Sequence, residues 1–177
     1  MRKIVLLTLS LLAISCSDTK TLQKYFVENS ESSDFIAIDL ASSIINTEKV
    51  TLTDSEREAL QSFDKLNILA FQKDSLSDVK FKAEKEKVKT ILKDEQYEQL
   101  MRFGSSKNGG SIYLVGETDN IDEFVIFASG DTQGFVLARV LGDNMNPNNI
   151  MTLMEVIRKS DLDLEQLKPL QDALGKK

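Results

Sequence analysis

Several residues in this sequence have types and spacing that could do chemistry. Glu123 opens a strongly apolar run, Glu123-Phe124-Val125-Ile126-Phe127. A carboxyl group in such company can act as a general acid when it faces a cleft; the ordinary alternative is a carboxylate facing solvent at a strand's edge. Asn144, Asn146, Asn148 and Glu155 stand at the offsets of positions 1, 3, 5 and 12 of a calcium loop. Three neutral amides bring no charge to it, Pro147 stiffens it, and Asn149 stands where its sharp turn wants glycine. Helix capping is therefore the expectation at Asn146, and no metal is assigned. Lys80, Lys82, Lys85, Lys87, Lys89 and Lys93 form a dense basic run with Glu84 and Glu86 interleaved. The interleaving predicts a solvated helix, with Lys80 paired to Glu84 and Lys82 to Glu86 at i, i+4. The rival reading is a docking face for an acidic partner.

Other chemistries are excluded by composition. The chain has no histidine and one cysteine, so Ser-His-Asp and Cys-His catalysis and imidazole-ligated metals are impossible. Neither a P-loop nor a Gly-x-Gly-x-x-Gly turn occurs. The absence of tryptophan weighs against an aromatic platform for sugar rings. Hydrolysis by a carboxylate pair survives in principle, because acidic residues are plentiful. No catalytic, cofactor-binding or metal residue is assigned.

Cys16 has the most telling surroundings. Arg2 and Lys3 precede an apolar run over residues 4–14 that only Thr8 and Ser10 interrupt, and Ser15 and Cys16 follow. That is the order of a signal peptide. The run is about half the roughly 20 residues that a membrane-spanning helix needs, so something else must hold the protein at a membrane. The segment Leu12-Ala13-Ile14-Ser15-Cys16 resembles the bacterial lipobox, whose cysteine is acylated and becomes the mature N-terminus; Ala13 stands where leucine is usual. Acylation also accounts for an unpaired thiol in a secreted chain, and several acyl chains, at about 0.8 kcal/mol per buried methylene, anchor durably. The expected organisation is a signal peptide over residues 1–15, a lipidated N-terminus and tether over 16–20, and one domain over 21–177. The membrane is then a partner through the lipid on Cys16. Ser17 favours the outer membrane, since aspartate at that place is a retention signal in some bacteria. Loss of Arg2 and Lys3 moves the formal charge from -6 to -8, so nucleic acid is not an expected partner.

The elements that must position these residues follow from periodicity. Leu22, Tyr25 and Phe26 predict a helix ending near Asn29, and residues 35–40 a strand. Residues 41–52 suggest a helical turn and a loop. Thr53 and Glu56 form a capping box, predicting a helix that buries Ala59, Leu60 and Phe63. Residues 66–71 look like a second strand. Residues 78–103 read as two helical pieces, one marked by Val88, Ile91 and Leu92, the other by Tyr97, Leu100, Met101 and Phe103 with Asp94 as its cap. Residues 104–110 read as a loop, and residues 112–115, 123–128 and 135–141 as three antiparallel strands in a meander. Asn146 as cap, Pro147 at the first position and Ile150, Leu153, Met154 and Ile157 facing a core make the strongest helix. A weaker helix is expected from Asp163. The sum is an α+β fold: a sheet of about five mostly antiparallel strands with helices packed on it.

The segment from Asp94 to Leu100, the Ile112-Tyr113 strand, the Glu123-Phe124-Val125-Ile126-Phe127 strand and the strand from Phe135 to Gly142 together resemble domain-of-unknown-function family 4252, small bacterial envelope proteins that are usually lipoproteins. The resemblance spans most of residues 20–158. It implies an α+β fold and an envelope location, and brings no activity, cofactor or catalytic residue. The expected function is a non-enzymatic, lipid-anchored module that binds an envelope protein. Alternatives are an accessory role in envelope sensing and a carboxylate-dependent hydrolase.

Overall fold

Helices in this chain begin where side chains can take up otherwise unpaired amides. The Thr21 hydroxyl accepts from the Lys24 amide at the start of α1 (Leu22–Asn29). Thr53 and Glu56 form the expected reciprocal box on α2 (Asp54–Gln61), the Glu56 amide donating to the Thr53 hydroxyl at 3.3 Å and the Thr53 amide to Glu56 Oε2 at 2.8 Å. Such caps contribute about 0.5–2 kcal/mol each. Helix α3 spans Asp78–Ile91 and α4 spans Pro147–Lys159. Asn146 caps α4 and Asn149 answers it, the Asn146 amide donating to Asn149 Oδ1 at 2.6 Å.

The strands are β1 (Phe35–Ala41), β2 (Ile45–Asn46), β3 (Phe63–Gln72), β4 (Glu98–Gly104), β5 (Asn108–Glu117), β6 (Asn120–Gly130), β7 (Gly134–Met145) and β8 (Asp161–Leu162). This computed structural model describes residues 21–73, 78–105, 107–118, 120–162 and 168. Cys16 with its tether lies outside the described residues, as does nearly all of the helix expected from Asp163. Six strands form one open sheet in the order β1-β3-β7-β6-β5-β4, every neighbouring pair antiparallel, and β2 pairs with β8 apart from it. The fold is α+β, with one more strand in the main sheet than its sequence predicts.

Alternate residues along each strand feed two cores. Leu69, Phe71, Val125, Phe127, Phe135 and Leu137 turn to the face covered by α1 and α3. Ile68, Phe124, Val140, Ile112 and Leu114 turn to the face covered by α2 and α4. Burial on both faces explains why the central strands are nearly all apolar instead of alternating with polar residues. Phe35, Phe71 and Phe135 pack as a cluster, with Phe71 and Phe135 stacked at 5.5 Å between centroids. The turn between β6 and β7 needs glycine at Gly134: its φ is +111°, and a Cβ there would stand 1.9 Å from the Phe71 carbonyl oxygen.

The structure corrects several expectations. Tyr97, Leu100, Met101 and Phe103 belong to no second helix. Tyr97 closes a turn in which its amide donates to the Asp94 carbonyl, and Asp94 accepts from the Gln96 amide instead of capping a helix. The chain then runs as β4, which pairs with β5 and makes the meander four strands long. The loop expected over residues 104–110 shrinks to the turn between Gly104 and Asn108, with the Ser105 amide donating to the Asn108 carbonyl. The second strand begins at Phe63, not Leu66. On α4, Ile150 and Leu153 are buried, whereas Met154 is 53% exposed and Val156 is fully buried in its place.

Candidate functional site

Glu123 is neither a cleft acid nor a solvent-facing strand end. It lies on the α1/α3 face of β6, two register positions from the partner of Arg139 on β7. Arg139 Nε donates to Glu123 Oε1 and Nη2 to Oε2, both at 2.7 Å, and the two residues are only 8% and 7% exposed. Arg139 Nη1 donates to Gln23 on α1, and the Phe26 ring lies 5.5 Å from the guanidinium carbon. Every oxygen of the carboxylate is engaged, so this is a bidentate structural pair that ties α1 to the sheet.

A second polar tie, which sequence reasoning missed, joins α1 to α3. The buried Tyr25 hydroxyl donates to Glu84 Oε2 at 2.9 Å, and Lys87 reaches Glu84 Oε1 at 2.6 Å. Burial, then the neighbouring Glu84 carboxylate, pushes the Tyr25 phenol far above its ordinary value. Glu84 therefore points inward. The ion pairs expected at i, i+4 are replaced by Lys87 with Glu84 and Lys89 with Glu86 at i, i+3, and Lys80 reaches across to Asp34. An acid followed three residues later by a base lets the lysine stem lie back along the helix, which the reverse order does not.

This rearrangement sorts the lysines. Lys85 and Lys89 on α3 and Lys93 in the turn beyond it line one wall of an open groove of about 760 Å³. Arg102 and Phe103 on β4 line the other wall, and Tyr97, Tyr113 and Phe127 contribute aromatic surface. Arg102 faces the same side as Ser111, its register partner on β5. No carboxylate lines the groove among the described residues. Lys89 is bonded to Glu86, which stands outside it, and Lys85 lies 5.3 Å from the Phe81 ring centroid. Lys93 and Arg102 make no salt bridge among the described residues. Ser129 also lines the groove, and its hydroxyl oxygen is buried without a hydrogen-bond partner among those residues.

The calcium-loop spacing does not assemble. Asn146 Oδ1 accepts from the Asn148 and Asn149 amides, and Glu155 is exposed along the middle of α4. Among the described residues no cluster of three or more acidic, histidine or cysteine side chains could hold a metal ion, and no helix is long and apolar enough to cross a membrane.

Sheet order, the two helix layers and the groove define a small α+β domain with a basic, aromatic-lined cleft beside an edge strand. Residues 25–153 match the family described as Domain of unknown function (DUF4252), and the chain belongs to it. No curated protein and no solved structure matches the chain.

Proposed function

We propose that this chain is a lipid-anchored module of the bacterial envelope that binds a macromolecular partner through the groove between α3 and β4. The groove carries the reading: four cations and several aromatic rings share one concave surface on a chain whose formal net charge is -6. A concave surface lined by cations and, among the described residues, by no carboxylate concentrates attraction for anions at one place in an otherwise acidic protein. Its volume falls within the roughly 300–1,000 Å³ of ordinary ligand clefts. The lipobox-like segment ending at Cys16 supports the anchor, and nothing in the groove requires a reaction to occur. Hydrolysis by Glu123 is disfavoured, because Arg139 occupies both carboxylate oxygens.

Site-specific photo-crosslinking in intact cells tests the reading. A photoreactive residue in place of Gln99, on the groove's rim, should give a discrete crosslinked product. The same residue in place of Met151, exposed on α4 across the sheet, should not. The same product from both positions, or none from Gln99, would refute partner binding through the groove.

A further inference from the structure

We infer that the groove's occupant is an extended, acidic peptide segment of a partner protein, with carboxylates at alternate positions. The inference rests on the binding-module reading above and adds the partner's chemistry to it. Its basis is the spacing of the cations. Lys85 and Lys89 lie four residues apart on α3, a rise of about 6 Å, and Lys93, four residues further on, follows in the turn beyond the helix. Alternate residues of an extended chain are about 6.6 Å apart and point the same way. An extended segment lying along α3 can thus present carboxylates to the lysines, while the side chains between them turn toward the sheet.

A compact anion fits this arrangement poorly. A phosphate or a single lipid headgroup is held best by donors that converge on one point, whereas these cations are spread along α3 and the turn beyond it, with Arg102 on β4 across the groove. Tyr113, half-buried and on the same side as Gln99, its register partner, lines the groove, so apolar side chains interleaved with the acids would gain contact there. Arg102 makes no salt bridge among the described residues and Lys93 has only the longer-range attraction of Glu86, which spares much of the desolvation and rearrangement that a direct pair would impose.

The test uses the full chain, purified from cells that express it, and a dye-labelled Glu-Leu-Glu-Leu-Glu peptide read by fluorescence anisotropy. The acidic peptide should bind, and should weaken as salt rises. A Lys-Leu-Lys-Leu-Lys peptide should not bind. The Lys93→Glu, Arg102→Glu double variant should lose at least about tenfold in affinity for the acidic peptide and gain affinity for the basic one. That gain separates a direct charge contact from loss of fold. No binding of the acidic peptide, equal binding of both peptides, or affinity unmoved by the charge reversal would overturn the inference. Displacement of the peptide by inorganic phosphate or phosphatidylglycerol vesicles would overturn it in favour of a phosphate ligand. If the acidic peptide fails while the Gln99 crosslink persists, the module reading stands and only the partner's chemistry is wrong.

Discussion

Arg139 holds both oxygens of Glu123 at 2.7 Å across the β6–β7 pair, beneath Phe26 and Gln23 of the first helix. Removing one partner of a pair this dry leaves the other charge buried and uncompensated. Glu123→Ala should therefore lower unfolding stability by about 3–5 kcal/mol, and Glu123→Leu combined with Arg139→Met should recover most of it. Urea denaturation of the two variants beside the parent chain measures both. A loss under about 1 kcal/mol in the single variant would mean that water reaches the pair. Any phenotype of a Glu123 variant must be read against protein abundance, since folding rather than chemistry is the first thing lost.

The acid limb of stability should carry the signature of Glu56. A hydrogen bond from Lys159 on α4, then the Thr53 amide, holds its carboxyl at about 2 against an ordinary value of 4.5. A folded value below the unfolded one stabilises fully above about pH 4.5, and the contribution is lost as pH falls from there toward about 2. Asp34, Asp78 and Glu86 are also lowered, chiefly by hydrogen bonds from Lys80, Lys73 and Lys89, so the informative quantity is a difference. Thermal melts from neutral pH down through this window should fall less steeply for Glu56→Gln than for the parent chain. Identical slopes would show that the tie between α2 and α4 adds nothing.

Two neighbouring residues of α4 should respond in opposite ways. Leu153 is buried against the sheet, and its truncation to alanine should cost roughly 2–5 kcal/mol. Met154, half in solvent, should lose no more than about 0.5 kcal/mol on the same change. Chemical denaturation of both variants decides whether the helix presents this face.

Where the sequence was legible, one residue pattern had one physical cause. Caps at Thr53 and Asn146 mark two helix starts because the hydroxyl and amide groups there have few other uses. β4 was opaque for the converse reason. As the sheet's edge it is exposed along its whole length, so no burial imposes period-two alternation, and a register shift between Gln99 and Met101 breaks what alternation remains. Tyr97, Leu100, Met101 and Phe103 then fall at helix-like offsets by default. Met154 was misplaced by a similar accident, since Val156 completes the buried stripe from Ile150 and Leu153 with a slightly different turn of the helix. The lysine spacing behind the groove was visible, but its meaning depended on Glu84 turning inward to Tyr25 and on β4 supplying the far wall. Both are tertiary facts.

The anchor can be tested at a single atom. If Cys16 is acylated after cleavage behind Ser15, mass spectrometry of the mature protein should find an N-terminal peptide that begins at Cys16 and carries lipid on its sulfur and amine. One acyl chain gives only marginal, reversible membrane binding, with an association constant of about 10⁴ M⁻¹, whereas two or more hold durably. The membrane fraction should therefore keep the protein through an alkaline carbonate wash, which strips proteins held by charge or by a surface contact. Cys16→Ala should leave an uncleaved precursor or a protein released by that wash, with its thermal melt unchanged, because the contacts that hold the described helices and strands together are made by other residues. An unmodified Cys16, or a mature chain that starts elsewhere without lipid, would remove the anchor and leave the groove to act on a freely diffusing protein.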